Sequence, residues 1–327
     1  MPRFAVVGAT SWGVTLATLL SRNGHEVTLV VRRAAEVETI QAEHGLERLP
    51  ELSLPGSVAV IPVDGLGSAF DGILIAVPAQ AVRPTLATLP DWVQPAVLSA
   101  AKGIESGTGA RMSEVIGERW PEASLAVLSG PNLSQEIARG MPAAAVVASA
   151  DIDTARLWQG ALSGGRFRGY RSSDVIGVEL AGALKNVVAI AAGVAWGLGL
   201  GANTVAAIMT RGLAEITRLG VAMGANAATF QGLAGVGDLS ATCFSPLSRN
   251  RQLGELLARG YGPDKALNEI GQVVEGATTA PVAITLARRV GVEMPIAEHV
   301  VAALDGSETV IEAMAALLDR PLTTETG

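Results

Sequence analysis

The chain has 327 residues, 49% of them hydrophobic, a formal net charge of −7 and one cysteine, Cys243. This length allows about two domains, and the acidic balance excludes a general nucleic-acid surface while leaving room for a local cluster that binds a small anion. A single cysteine excludes an intrachain disulfide, and His25, His44 and His299 are scattered without ligand spacing, so no metal site is expected.

In chain order, residues 3–7 (RFAVV) read as a short apolar strand ending at Gly8. The turn GATSWG follows, and then VTLATLLSRNG, which has apolar residues at helical spacing and stops at Gly24. Residues 25–31 (HEVTLVV) form a second, β-branched strand. Strand, glycine turn, helix and strand within about 30 residues open a dinucleotide-binding βαβ unit. Further strands are predicted at 72–77, 96–99, 125–129 and 143–148, with a helix over about 79–89. Alternation of this kind implies a mostly parallel sheet with helices on both faces.

From about Ser173 the texture becomes helical, with segments at 174–197, 203–223, 226–233, 250–258, 263–271, 275–290, 296–304 and 308–317. The expected fold is α/β: a Rossmann-type, doubly wound, mostly parallel sheet over residues 1–176, then an all-α C-terminal domain over 177–327. No membrane span is expected. The nearest candidate, 187–209, is dominated by Gly and Ala and interrupted by Asn203 and Thr204. The N-terminus enters a strand directly, so no secretion signal is expected and the cytoplasm is the expected compartment. The terminal TTETG is expected to fray.

Several stretches carry potential chemistry. Gly8 and Gly13 would let the backbone approach a pyrophosphate at a helix N-terminus, although Thr10 occupies the middle position of the usual glycine triplet. Arg32 and Arg33 follow the second strand, where an acidic residue would favour NAD. A guanidinium pair there suits a 2′-phosphate, so NADP(H) is the expected cofactor and NAD(H) the second candidate; two solvated arginines are the plainer alternative. Lys102, in SAAKGIE, lies beyond the carboxyl end of a strand, where ligands bind in open parallel sheets. Gly130, Asn132 and Ser134 belong to GPNLSQE, which offers polar groups for substrate or cofactor, or merely a capped turn. Asp238 in GVGDL and Ser248, Arg249 and Asn250 in SRNR match phosphate and lysine-tuning chemistry. Glu275 opens a later helix just after Val273, where a carboxylate is favourable on charge grounds alone.

The remaining feature is Lys185, inside ELAGALKNVVAIAAG. Lysine occurs only at 102, 185 and 265. An ammonium in an Ala/Val/Ile helix is costly unless it is paired or used. Unlike arginine it can be tuned to exchange a proton; a snorkelling lysine is the structural alternative.

Taken in order, AAKGIE, GPNLSQEIARGMPAA, ELAGALKNVVAIAAG, MTRGLAEITRLG, GVGDL and SRNR make the chain resemble the bacterial NAD(P)-dependent glycerol-3-phosphate dehydrogenases, over most of its length. The resemblance implies a site in the cleft between the two domains. By similarity, Ser11, Trp12, Arg32, Arg33, Lys102 and Ser134 contact the cofactor, with Arg249, Val273 and Glu275 reaching it from the second domain. Substrate would be held by Lys102, Gly130, Asn132, Ser248, Arg249 and Asn250, with Lys185 and Asp238 at the chemistry. The chain departs from the family at Thr10, at Asn132 (where a small hydroxyl residue is common), and at Trp196 and Ala202, where aspartates are frequent.

The implied reaction is reversible hydride transfer between NAD(P)H and dihydroxyacetone phosphate, giving sn-glycerol 3-phosphate for glycerophospholipid synthesis. Lys185 would be the acid and base, its pKa drawn down by burial and Lys102 and raised by Asp238. Two alternatives fit the same residues: a reductase of a 2-keto or 3-hydroxy acid, and a dinucleotide-sensing protein without turnover. Apolar content in the helical half points to a homodimer.

Overall fold

The computed structural model describes residues 1–67, 69–91, 96–319 and 324, so the expectation for 323–327 falls almost wholly outside them. The N-terminal half alternates strands with helices: β1 (Arg3–Val7), α1 (Ser11–Arg22), β2 (Glu26–Val31), α2 (Ala34–Glu43), β3 (Ala59–Pro62), β4 (Gly72–Ile75), α3 (Ala79–Leu86) and β5 (Ala96–Ser99). It continues through α4 (Met112–Arg119), β6 (Ser124–Ser129), α5 (Ser134–Ala138), β7 (Ala143–Ala148), α6 (Ile152–Leu162) and β8 (Phe167–Ser172).

The eight strands form one sheet in the order β3-β2-β1-β4-β5-β6-β7-β8. Neighbours run parallel except β6 and β7. Strand order reverses beside β1, where Val6 pairs with Leu29 on one side and Leu74 on the other. Both faces of the central strands are covered, and Phe4, Val6, Ile73, Leu74 and Ile75 are wholly buried. That is why these strands read as continuous apolar runs rather than alternating ones. Each such side chain contributes about 1.5–3 kcal/mol of burial free energy.

The C-terminal half is helical: α7 (Val175–Gly197), α8 (Gly201–Ala222), α9 (Ala227–Phe230), a π-turn at Leu233–Gly237, α10 (Asp238–Phe244) and α11 (Arg249–Ala258). Then come α12 (Pro263–Ile270), α13 (Glu275–Val290), α14 (Pro295–Asp305) and α15 (Val310–Leu318). Helix α7 is the axle of this half. It is apolar and long enough to span a membrane, yet 83% of its most apolar window is buried within the protein. Backbone meets backbone where it crosses α11: a Cβ on Gly193 would stand 2.1 Å from the Arg251 carbonyl oxygen, and one on Gly254 2.1 Å from that of Ile190.

Three expectations shift. Helix α1 begins at Ser11 rather than after the turn, because Thr10 caps it by accepting from the Gly13 amide. The single helix expected at 226–233 is α9 alone, followed by the π-turn. The sheet also gains β3 and β8, its two edges. The halves are clasped by Glu179 of α7, which accepts hydrogen bonds from the Ser113 amide (2.8 Å) and hydroxyl (2.6 Å) and pairs with Arg111 at 2.7 Å.

Candidate active site

A cleft of about 570 Å³ lies between the halves, beyond the carboxyl ends of β1, β4 and β5. This is the crevice that strand-order reversal opens in a doubly wound sheet. Its lining includes Ser11, Trp12, Lys102, Asn132, Ser134, Lys185, Asp238, Ser248, Arg249, Asn250, Val273 and Glu275, all singled out from sequence. Thr10, Arg48, Asn186 and Thr242 join them.

At one end the first turn of α1 opens onto the cleft with no acidic residue in it. Gly8 has a φ of +112°, and a Cβ on Gly13 would stand 2.0 Å from the Gly8 carbonyl oxygen. Only glycine at both positions lets the strand turn so tightly into the helix. Thr10 does not obstruct the approach. Its hydroxyl donates to the Ala76 carbonyl at 2.7 Å while accepting from the Gly13 amide at 3.0 Å, so the side chain is folded down against the end of β4. Gly130, with a φ of +141°, stands outside the cleft lining and reaches the site through its carbonyl, which accepts from Lys102.

Arg32 and Arg33 stand past the end of β2, outside the cleft lining and exposed. Arg33 forms a 2.9 Å ion pair with Glu36.

At the other end the buried Asp238 carboxylate joins two ammonium groups. Lys185 Nζ donates to Oδ1 at 2.5 Å, and Lys102 Nζ donates to Oδ2 at 2.7 Å. Lys185 also donates to the Thr242 hydroxyl at 2.6 Å, and Lys102 to the Gly130 carbonyl at 2.8 Å. Each ammonium thus has two of its three protons committed and one left for a ligand. Thr242 sits one turn after Asp238, which its own hydroxyl caps by donating to the Asp238 carbonyl at 2.6 Å.

Burial drives the Lys185 pKa down to about 8; Asp238 opposes this and Lys102 adds to it. Burial would raise the Asp238 carboxyl, but the two lysines outweigh it and hold the group below the usual carboxylate range. The cluster therefore keeps its carboxylate charged and makes one lysine a proton donor near neutral pH.

A second polar chain fixes the geometry. Asn186 donates to the Lys102 carbonyl at 3.1 Å, Asn250 donates to the Asn186 side-chain oxygen at 2.9 Å, and the Gly276 amide donates to Asn250 at 2.9 Å. Both ends of the Asn250 amide are therefore engaged within the protein. Ser248 caps α11 by accepting from the Arg251 amide at 3.3 Å. This leaves the amides of Arg249 and Asn250, both in the cleft lining, without a cap, an arrangement that suits a phosphate. Burial lowers the Arg249 pKa. Glu275 bridges the halves, accepting from the Ala79 amide at 3.0 Å, and burial raises its pKa.

The lining fits a dinucleotide. Three of its buried polar atoms lack a partner among the described residues: Trp12 Nε1, Asn132 Oδ1 and Glu275 Oε2. Buried polar groups of this kind normally hydrogen-bond to something, and a bound ligand would supply it. Ser134, at the first turn of α5, belongs to the same lining. Among the described residues no three His, Cys, Asp or Glu side chains gather as a metal site.

Family models for the N-terminus and the C-terminus of NAD-dependent glycerol-3-phosphate dehydrogenase match residues 3–155 and 174–315. The glycerol-3-phosphate dehydrogenase [NAD(P)+] of Corynebacterium glutamicum strain R is 46% identical over 329 residues, covering 98% of both chains. That of Thermobifida fusca strain YX is 47% identical over 327 residues, covering 98% of this chain and 97% of its own. The crystal structure of the Coxiella burnetii glycerol-3-phosphate dehydrogenase superposes with a TM-score of 0.90 at 34% identity, covering 98% of this chain and 99% of that one.

Proposed function

We propose, since this chain belongs to the NAD-dependent glycerol-3-phosphate dehydrogenase family, that its cleft reversibly reduces dihydroxyacetone phosphate to sn-glycerol 3-phosphate with NADPH or NADH. The observation that carries the mechanism is the Lys185–Asp238–Lys102 bridge in a cleft whose lining also holds the first turns of α1 and α11, both suited to a phosphate.

When bound, the reduced nicotinamide supplies the hydride. The protein's part is to position the ketone and move a proton. The free N–H groups of Lys185 and Lys102 converge on the carbonyl oxygen and stabilise the charge that develops there. Lys185 then gives its proton to that oxygen, and in the reverse direction takes it back. A pKa of about 8 suits both tasks. Asp238 holds the two ammonium groups together and remains ionised throughout. Arg249 and the first-turn amides of α11 grip the substrate phosphate, and this remote binding orients the carbonyl. Asn132 Oδ1, whose amide nitrogen is tied to the Ala144 carbonyl at 3.0 Å, is left to accept from a hydroxyl or an amide.

The product is the backbone unit of glycerophospholipids, and supplying it is the role we assign. The sole cysteine, Cys243, is buried and free, which accords with a reducing cytoplasm. Exposed apolar side chains on the helical half, such as Leu200 and Val221, accord with a homodimer.

The test is a steady-state assay following NADPH and NADH oxidation with dihydroxyacetone phosphate and with its unphosphorylated analogue. Turnover is expected with the phosphate ester and at least about 100-fold lower kcat/KM without it, the loss of a charge-assisted clamp. Equal rates on both, or no turnover on either, would contradict the assignment.

A further inference from the structure

One cation of the cleft is left over by the mechanism: Arg48. It stands on the segment 44–54, which is moored at three places. Gly45 and Ser53 form a bridge, Leu49, Leu52 and Leu54 are buried beneath, and Glu51 pairs with Arg139 beyond α5 at 2.7 Å. From there the Arg48 guanidinium reaches across to donate to the carbonyl of Ala9, inside the glycine turn.

Charge makes this position unusual. The cleft is lined by four cationic side chains, Arg48, Lys102, Lys185 and Arg249, against two carboxylates, Asp238 and Glu275, in a chain whose net charge is −7. Lys102 and Lys185 share Asp238, and Arg249 feels the field of Glu275 and, opposing it, that of Arg48. Arg48 has no carboxylate partner among the described residues, and a backbone carbonyl takes up only part of its donor capacity. A guanidinium carries five N–H donors in a planar fork that matches two phosphate oxygens.

We propose that Arg48 is a strap for the cofactor pyrophosphate: it turns from the Ala9 carbonyl onto the phosphates and presses them against the first turn of α1. This rests on the dinucleotide reading of the cleft. Position selects the pyrophosphate over the other phosphates. Ala9 belongs to the turn that receives the pyrophosphate in this fold, whereas a 2′-phosphate belongs beyond the end of β2, near Arg32 and Arg33. The substrate phosphate has the amides of the α11 N-terminus and Arg249, which lies close enough to Arg48 for the two cations to oppose each other. Arg48 therefore sets affinity for both cofactors and does not choose between them.

The experiment titrates wild-type protein and Arg48→Leu with NADPH, NADH and ADP-ribose, following tryptophan fluorescence. ADP-ribose keeps the pyrophosphate but lacks both nicotinamide and 2′-phosphate. Arg48 is exposed, so the variant should fold, and an unchanged ligand-free Tm checks this. The expected result is a common loss of affinity for all three ligands, about tenfold, with the KM for dihydroxyacetone phosphate unchanged at saturating NADPH. A loss confined to NADPH would overturn the proposal in favour of a 2′-phosphate contact. Unchanged affinities with a raised substrate KM would overturn it in favour of the substrate phosphate, and no change at all would remove Arg48 from the site. If wild-type protein bound none of the three, it is the dinucleotide reading that would fall.

Discussion

At the glycine-turn end of the cleft the protein offers backbone and shape: Gly8 and Gly13, the amides of α1, and a threonine folded out of the way. At the lysine end it offers two ammonium groups around one buried carboxylate, each with two of its three protons already committed. The two ends answer differently to substitution. Where backbone does the binding, a side chain matters only for the space it fills, so Thr10 is accommodated. Where charge does the work, a side chain of equal size but different proton affinity changes the chemistry while leaving the shape intact.

This contrast can be broken at either end. The largest effect is expected for Lys185→Ala. Turnover should fall about 100-fold or more, the range for a lost general acid, while NADPH affinity stays near wild type because the glycine turn is untouched. Affinity falling in parallel with turnover would show that the two ends are not separable. Next comes Gly13→Ala. The new Cβ would meet the Gly8 carbonyl at 2.0 Å, so the turn must open. Loss of stability of about 1–3 kcal/mol is expected, with weakened binding of NADPH and NADH alike, measurable by denaturant unfolding and fluorescence titration. Wild-type affinity would mean the turn does not form the pyrophosphate seat. The smallest effect belongs to Thr10→Gly. Cofactor affinity should change less than threefold or so, and stability should fall by a few tenths of a kcal/mol to about 2 kcal/mol through the lost cap. A large gain in affinity would show that Thr10 obstructs the seat after all.

The sequence carried the βαβ opening, the six inner strands and the helical second half because these are written in local periodicity. The two strands it did not reveal, β3 and β8, are the two edges of the sheet. β3 is four residues long and ends in Pro62, and β8 (FRGYRS) exposes Arg168 and Tyr170. Edges are kept short, charged or proline-ended to discourage pairing with other chains, which erases the apolar signature of a strand. The site divides in the same way. Residues in recognisable motifs, such as Lys102, Asp238 and Arg249, were legible. Asn186 and Thr242 act through contacts made only when α7, α10 and α11 cross. The four-residue interval from Asp238 to Thr242 on one helix face is the one local hint. Arg48 lies in a segment without periodicity, and nothing around it announces that it reaches back to Ala9.

The central claim is that Lys185 is the proton donor, tuned by burial and its two charged neighbours. It is tested most directly by the pH dependence of kcat/KM for ketone reduction, in wild type and in Lys185→Met. Reduction needs the ammonium, which is present below a pKa of about 8 and lost as pH rises through it. The wild-type rate should therefore fall tenfold per pH unit above about 8. The rate of the reverse oxidation should rise through the same pH, and the residual activity of the variant should lose this limb. A limb that persists at the same pH in Lys185→Met would contradict the account.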